Sequence, residues 1–153
     1  MKILVAFAFV LFGDLAFGVY SRTCDLVWKL PSGPKSCYNF FEGWKTWSGS
    51  EFICDTYGMH LIALETETEI EVITQYLEEE SKLGTEWWTC GFKLSRTNKF
   101  QWSPGNTPII SGWNEGEPNS YQIPFENRVS LKNGGLNNLP GRTFRPFICE
   151  YDY

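Results

Sequence analysis

Hydrophobic and polar residues follow two different periods along this chain, and the change from one to the other falls near Gly84. Over residues 47–57, Trp47, Ser50, Cys54 and Tyr57 recur at helical spacing, and Gly58 stands where a C-terminal cap would. Leu61 and Ala63 then alternate as in a short strand. Thr66-Glu67-Thr68-Glu69 has the capping-box form, in which Thr66 and Glu69 would each satisfy the other's end of the backbone. A second helix is predicted to follow, burying Ile70, Ile73 and Leu77 and turning Glu71, Glu78 and Glu79 to water. Beyond Gly84 the pattern becomes short extended pieces at 87–92, 100–102, 126–131 and 147–151. The intervening stretches 103–120 and 133–142 are rich in Pro, Gly and Asn and have too little apolar periodicity for regular elements. Long ordered loops in a compact domain are usually functional. Near the start, Pro31-Ser32-Gly33-Pro34 is a strong turn signal between extended stretches at 26–30 and 37–41, which reads as a hairpin closed by a Cys24–Cys37 disulfide.

The N-terminus alters this picture of a globular domain. Residues 3–12 are an apolar run of about ten residues behind Met1-Lys2, which fits a secretory signal and is too short to cross a bilayer. Ala16 and Gly18 place small side chains two apart, so cleavage is expected after Gly18, leaving residues 19–153 as one secreted, extracellular domain. No later stretch is apolar enough to anchor in a membrane. A formal charge of −5 offers no basic face to gather phosphates, which argues against nucleic acid as a partner. Five cysteines in an exported chain point to disulfides, with one thiol left over. The seven Trp residues read as core of a loop-rich domain. No Asn begins an acceptor triplet for N-linked sugar.

Trp88-Thr89-Cys90-Gly91, Phe100-Gln101-Trp102, Trp113-Asn114-Glu115-Gly116 and Phe147-Ile148-Cys149-Glu150 follow one another in that order. With these motifs, residues 24–151 resemble a C-type lectin-like domain of the long form. Cys24 and Cys37 resemble the extra N-terminal pair of that form, and Cys54 and Cys149 its long-range disulfide. The resemblance implies an α+β fold with two helices, two small antiparallel sheets and a long ligand-binding loop region. Cys90 is then the unpaired thiol; set in a strand between Trp88 and Phe92, it reads as a buried small hydrophobe, with a covalent dimer as the other option. The sole histidine, His60, has no second histidine with which to make a zinc site.

Glu117-Pro118-Asn119, Glu126 and Leu136-Asn137-Asn138 match the family's calcium and sugar motifs, whose proline is usually cis. The resemblance implies that Glu117, Asn119, Glu126, Asn137 and Asn138 hold one Ca2+. Calcium takes six to eight oxygen ligands, so it can hold protein oxygens and two vicinal sugar hydroxyls at once. Carboxylates then accept the hydroxyl protons while amide NH2 groups donate to the lone pairs, Glu117 with Asn119 on one hydroxyl and Glu126 with Asn137 on the other. The Glu-Pro-Asn order implies mannose-type sugars with equatorial 3- and 4-hydroxyls, in extracellular recognition or innate immunity.

Two departures bear on this. Asn138 stands where the family has Asp, which removes one of three formal charges and implies a calcium affinity weaker by on the order of ten- to a hundred-fold. Arg128 and Gly141 stand where the family has its inner disulfide, and the auxiliary calcium site lacks acids, with Ser120 and Asn127 at two of its positions. The same departures fit a calcium-independent module that binds a protein partner through these loops. Enzyme chemistry is not expected, since neither a Ser-His-Asp set nor a paired-carboxylate cleft can be assembled from these spacings.

Overall fold

The structure, a computed structural model, describes residues 23–29, 35–95, 97–119 and 125–153; the expected signal segment 1–18, the turn 31–34 and Ser120 lie outside them. The chain runs β1 (Leu26–Lys29), β2 (Lys35–Lys45), α1 (Trp47–Thr56), β3 (His60–Leu61), α2 (Glu67–Glu79), β4 (Trp87–Lys93), β5 (Phe100–Gln101), β6 (Glu126–Lys132), β7 (Gly135–Pro140) and β8 (Arg145–Asp152). The strands form two antiparallel groups. One is β1-β2-β8 with β3 on β8, and the other is β4-β6-β7 with β5 on β4. They join through a parallel pairing of Trp88 in β4 with Phe147 in β8.

Local chemistry explains both helices. Thr46 caps α1, its hydroxyl accepting from Gly49 N at 3.2 Å, and Gly58 closes the far end with φ of 63°, a conformation that costs glycine nothing. Thr66 likewise caps α2, accepting from Glu69 N at 3.1 Å. The return half of the expected capping box is displaced by one residue. Glu69 accepts from Glu65 N at 3.1 Å, not from Thr66, because its other oxygen is held by the Tyr38 hydroxyl at 2.7 Å. Tertiary contact has pulled the carboxylate inward. Ile70, Ile73 and Leu77 are buried as the helical period requires, each contributing roughly 1.5–3 kcal/mol.

The core lies between the helices and the sheet. Trp87, Trp88, Trp102, Tyr38 and Phe147 are among its largest fully buried members. The indole nitrogens of Trp47 and Trp88 donate to Thr89 O at 2.7 Å and Lys45 O at 3.0 Å, so two large rings are buried without leaving polar atoms unpaired. Disulfides Cys24–Cys37 and Cys54–Cys149 tie β1 to β2 and α1 to β8, as the resemblance implied. Cys90 is 3% exposed and burial raises its thiol pKa, which makes it an inert packing residue. His60 is satisfied on β3, its Nδ1 lying 2.9 Å from Leu61 O.

One cluster of acids sits inside this core. Glu69 and Glu150 are buried, beside Tyr38 and Ser36 of β2, Glu65 before α2, Asp152 of β8 and His60 of β3. Burial raises both carboxyls above their ordinary range, and at Glu150 the neighbouring Glu69 charge adds to it. The native state therefore holds more protons than the unfolded chain between pH 4.5 and about 9. Stability is accordingly expected to be highest at the acid end of that window and to fall as pH rises through it. Urea midpoints measured from pH 5 to 9 check this, with Glu150→Gln expected to flatten the dependence.

Candidate calcium and saccharide site

The long loop is pinned to β7 before it reaches the Glu-Pro-Asn tripeptide. Leu136 N donates to Gly112 O at 2.7 Å and Asn114 N to Leu136 O at 2.9 Å, while Trp113 packs edge-on against Phe100 with centroids 5.1 Å apart. The Asn114 amide donates to Lys132 O at 3.0 Å and lies so close to Gly135 that a Cβ there would clash with its oxygen. That contact explains a glycine inside β7. Gly116, with φ of 81°, then turns the chain into Glu117, and the Glu117–Pro118 peptide is cis.

Three of the expected residues meet at this point. Asn119 N–H is shared between Glu117 Oε2 at 3.0 Å and Asn138 Oδ1 at 2.9 Å. The Asn119 amide also donates to Glu117 Oε1. Asn138, 3% exposed, returns its Nδ2 to Asn119 O at 2.9 Å and to Glu126 O at 3.5 Å. Glu117, Asn119, Asn138 and the main chain of Glu126 are thus brought together from the loop, β6 and β7.

Asn137 is placed elsewhere. It neighbours Asn138 on β7, so strand alternation turns it to the other face, opposite Ser130. There its amide donates to Glu86 Oε1 at 2.7 Å, joined by Ser130 Oγ at 2.9 Å, while Arg145 Nε reaches Glu86 Oε2 at 2.8 Å. Burial works against the Glu86 charge, yet the donors from Asn137, Arg145 and Ser130 outweigh it and its carboxyl lies below the ordinary value. Glu86 is the residue that sequence reading missed, and nothing in its local pattern marks it.

Among the described residues no three His, Cys, Asp or Glu side chains cluster as a metal site. A cation here would rely on amide oxygens as well as carboxylates. The donor set of Glu117, Asn119, Asn138 and Glu126 consists of oxygen ligands, which suits a hard cation such as calcium. Turning the Asn119 amide over would exchange the NH2 it now offers Glu117 for an oxygen beside that carboxylate.

Comparison with known proteins agrees with the fold. Residues 44–151 match the Lectin C-type domain, and the chain belongs to that family. It is 30% identical over 140 residues to lectoxin-Enh3 of Pseudoferania polylepis, covering 88% of this chain and 87% of that one. Human lithostathine superposes with a TM-score of 0.69 at 20% identity, covering 82% of this chain and 92% of that chain. The cow carbohydrate-recognition domain of CD23, solved in the presence of a GlcNAc2Man3 oligosaccharide, gives 0.65 at 25% identity over 82% of this chain and 97% of that chain.

The hydrogen bonds at Asn138 generate a two-sided expectation. In Asn138→Asp the NH2 that serves two carbonyls becomes a buried oxygen facing them. With chelator present the variant should lose roughly 1–3 kcal/mol of unfolding free energy. With calcium in excess the loss should be recovered, because the added charge tightens the ion. Urea titrations in both conditions measure the difference.

Proposed function

We propose that this protein is a secreted lectin that binds mannose-type sugars through one calcium ion held by Glu117, Asn119, Glu126 and Asn138. The convergence of the Glu117 and Asn138 side-chain oxygens on the Asn119 backbone N–H, the second of them from 19 residues along the chain, is the observation that carries the reading. Calcium would supply coordination positions for two vicinal hydroxyls in addition to the protein oxygens. The Glu117 and Glu126 carboxylates accept hydroxyl protons, and the Asn119 amide donates to a hydroxyl lone pair. Asn137 joins this set only by leaving Glu86. Secretion rests on the N-terminal apolar segment and the two disulfides, and recognition of microbial or host glycans outside the cell is the role these features suit.

A second reading draws on the same bonds. Asn119 and Asn138 hydrogen-bond each other directly, which is what a calcium-independent module for a protein partner would need. One column separates the two. Wild-type protein is expected to be retained on mannose-agarose with calcium, to elute with chelator, and to pass through galactose-agarose. Glu117→Gln should weaken retention on the order of tenfold or more by removing a charged ligand. Passage through every monosaccharide column, with no thermal shift on adding calcium, would support the protein-binding reading instead.

A further inference from the structure

The face on which Arg128 replaces half of the family's inner disulfide is not filled in. An open pocket of about 400 Å³ lies there, lined by Thr46 and Ser48 at the start of α1, Phe125, Asn127 and Arg128 around the start of β6, and Pro140, Gly141 and Arg142 around the end of β7. Its shape depends on a match between two residues. A Cβ at position 141 would stand 2.8 Å from Arg128 Cγ, so glycine is what admits the arginine. The Arg128 guanidinium then lies 4.3 Å from the centre of the Trp47 ring and donates to Asn127 O at 2.9 Å. Arg142 lies 5.4 Å over the Phe125 ring.

These two cations stand out in an acidic protein. The ion pairs among the described residues are made by His60, Lys82 and Arg145, and neither Arg128 nor Arg142 takes part. Glu51 of α1 acts on Arg128 from a distance and does not reach it as an ion pair. The first turn of a helix adds a favourable field for an anion, and Thr46 and Ser48 add hydroxyl groups. A guanidinium over a ring face keeps its donors at its edge, where an oxyanion can be bound, and at Arg128 one of them already serves Asn127 O. The pocket also opens at the end of the β6–β7 pair where Glu126 stands opposite Pro140.

We propose that this pocket binds the oxyanion of an acidic sugar, a sulfate ester or a carboxylate, with Arg128 and Arg142 as its charge partners. Calcium is not needed for it, so it stands or falls apart from the Glu117 site.

The test is calorimetry in chelator with N-acetylglucosamine 6-sulfate, glucuronate, neutral N-acetylglucosamine and inorganic sulfate, each at matched ionic strength. Wild type is expected to bind the two acidic sugars on the order of tenfold more tightly than the neutral one, with the preference shrinking as salt rises. Arg142→Gln, a change at an exposed residue, should remove most of that preference, and Gly141→Ala should do the same by displacing Arg128. Equal binding of acidic and neutral sugars, or an unchanged preference in Arg142→Gln, would overturn the proposal. Inorganic sulfate binding as tightly as the sulfated sugar would also overturn it, by leaving the sugar no part. Repeating the neutral-sugar titration with calcium reads the Glu117 site separately: failure there leaves the anion pocket intact.

Discussion

The disulfide between Cys54 and Cys149 is the constraint on which the rest of this fold depends. It spans 95 residues and fixes α1 against β8. Closing a loop of that length removes on the order of 4–5 kcal/mol of unfolded-state entropy. Its position matters more than its size. β8 is the strand to which β2, β3 and β4 all pair, and the two antiparallel groups meet through Trp88 and Phe147 on β4 and β8. Locking β8 therefore locks both groups, and the long excursion between β5 and β6 starts and ends on a rigid base.

That base lets the loop hold a site built from weak partners. Asn119 and Asn138 exchange hydrogen bonds across the gap between loop and strand, and Glu117 is satisfied by its own neighbour. An aspartate at 138 would take away the NH2 that now donates to Asn119 O and Glu126 O and would bury an acid near Glu117. The neutral amide joins loop to strand through its own hydrogen bonds, at the expense of charge toward a cation. The same substitution thus accounts for an expected loss of calcium affinity and for the closed network.

Much of this was legible in the sequence because the signals were local. The α2 boundary at Thr66, the apolar face of Ile70, Ile73 and Leu77, and the Gly58 cap follow from period and end chemistry alone. β7 was not predicted, since Gly135–Pro140 carries two adjacent asparagines and no clean alternation. Its signal lay just before it: Asn133 and Gly134, with φ of 51° and 78°, form the two-residue turn that pairs Lys132 with Gly135. The Glu117-Asn119-Asn138 convergence was legible through the motif order. The outward turn of Asn137 was not, because it depends on Glu86, Ser130 and Arg145, which come from three separate segments.

Arg128 and Gly141 illustrate how one covalent link can be exchanged for several non-covalent ones. At the matching positions a disulfide would hold β6 to the segment after β7. Here Trp47 N donates to Gly141 O at 3.0 Å, and the Trp47 ring carries the Arg128 guanidinium, so both segments are held to α1 instead. The arginine contact needs the glycine, whose missing side chain is the space the arginine stem occupies. A cation–π contact of this kind contributes about 0.5–2 kcal/mol, less than a disulfide, but it brings a positive charge where a disulfide brings none. The exchange therefore gives up constraint at the end of the hairpin and places positive charge there, beside the start of a helix. A replacement for the missing staple accounts for Arg128 and Gly141 alone; the second arginine, Arg142, lies over the Phe125 ring instead.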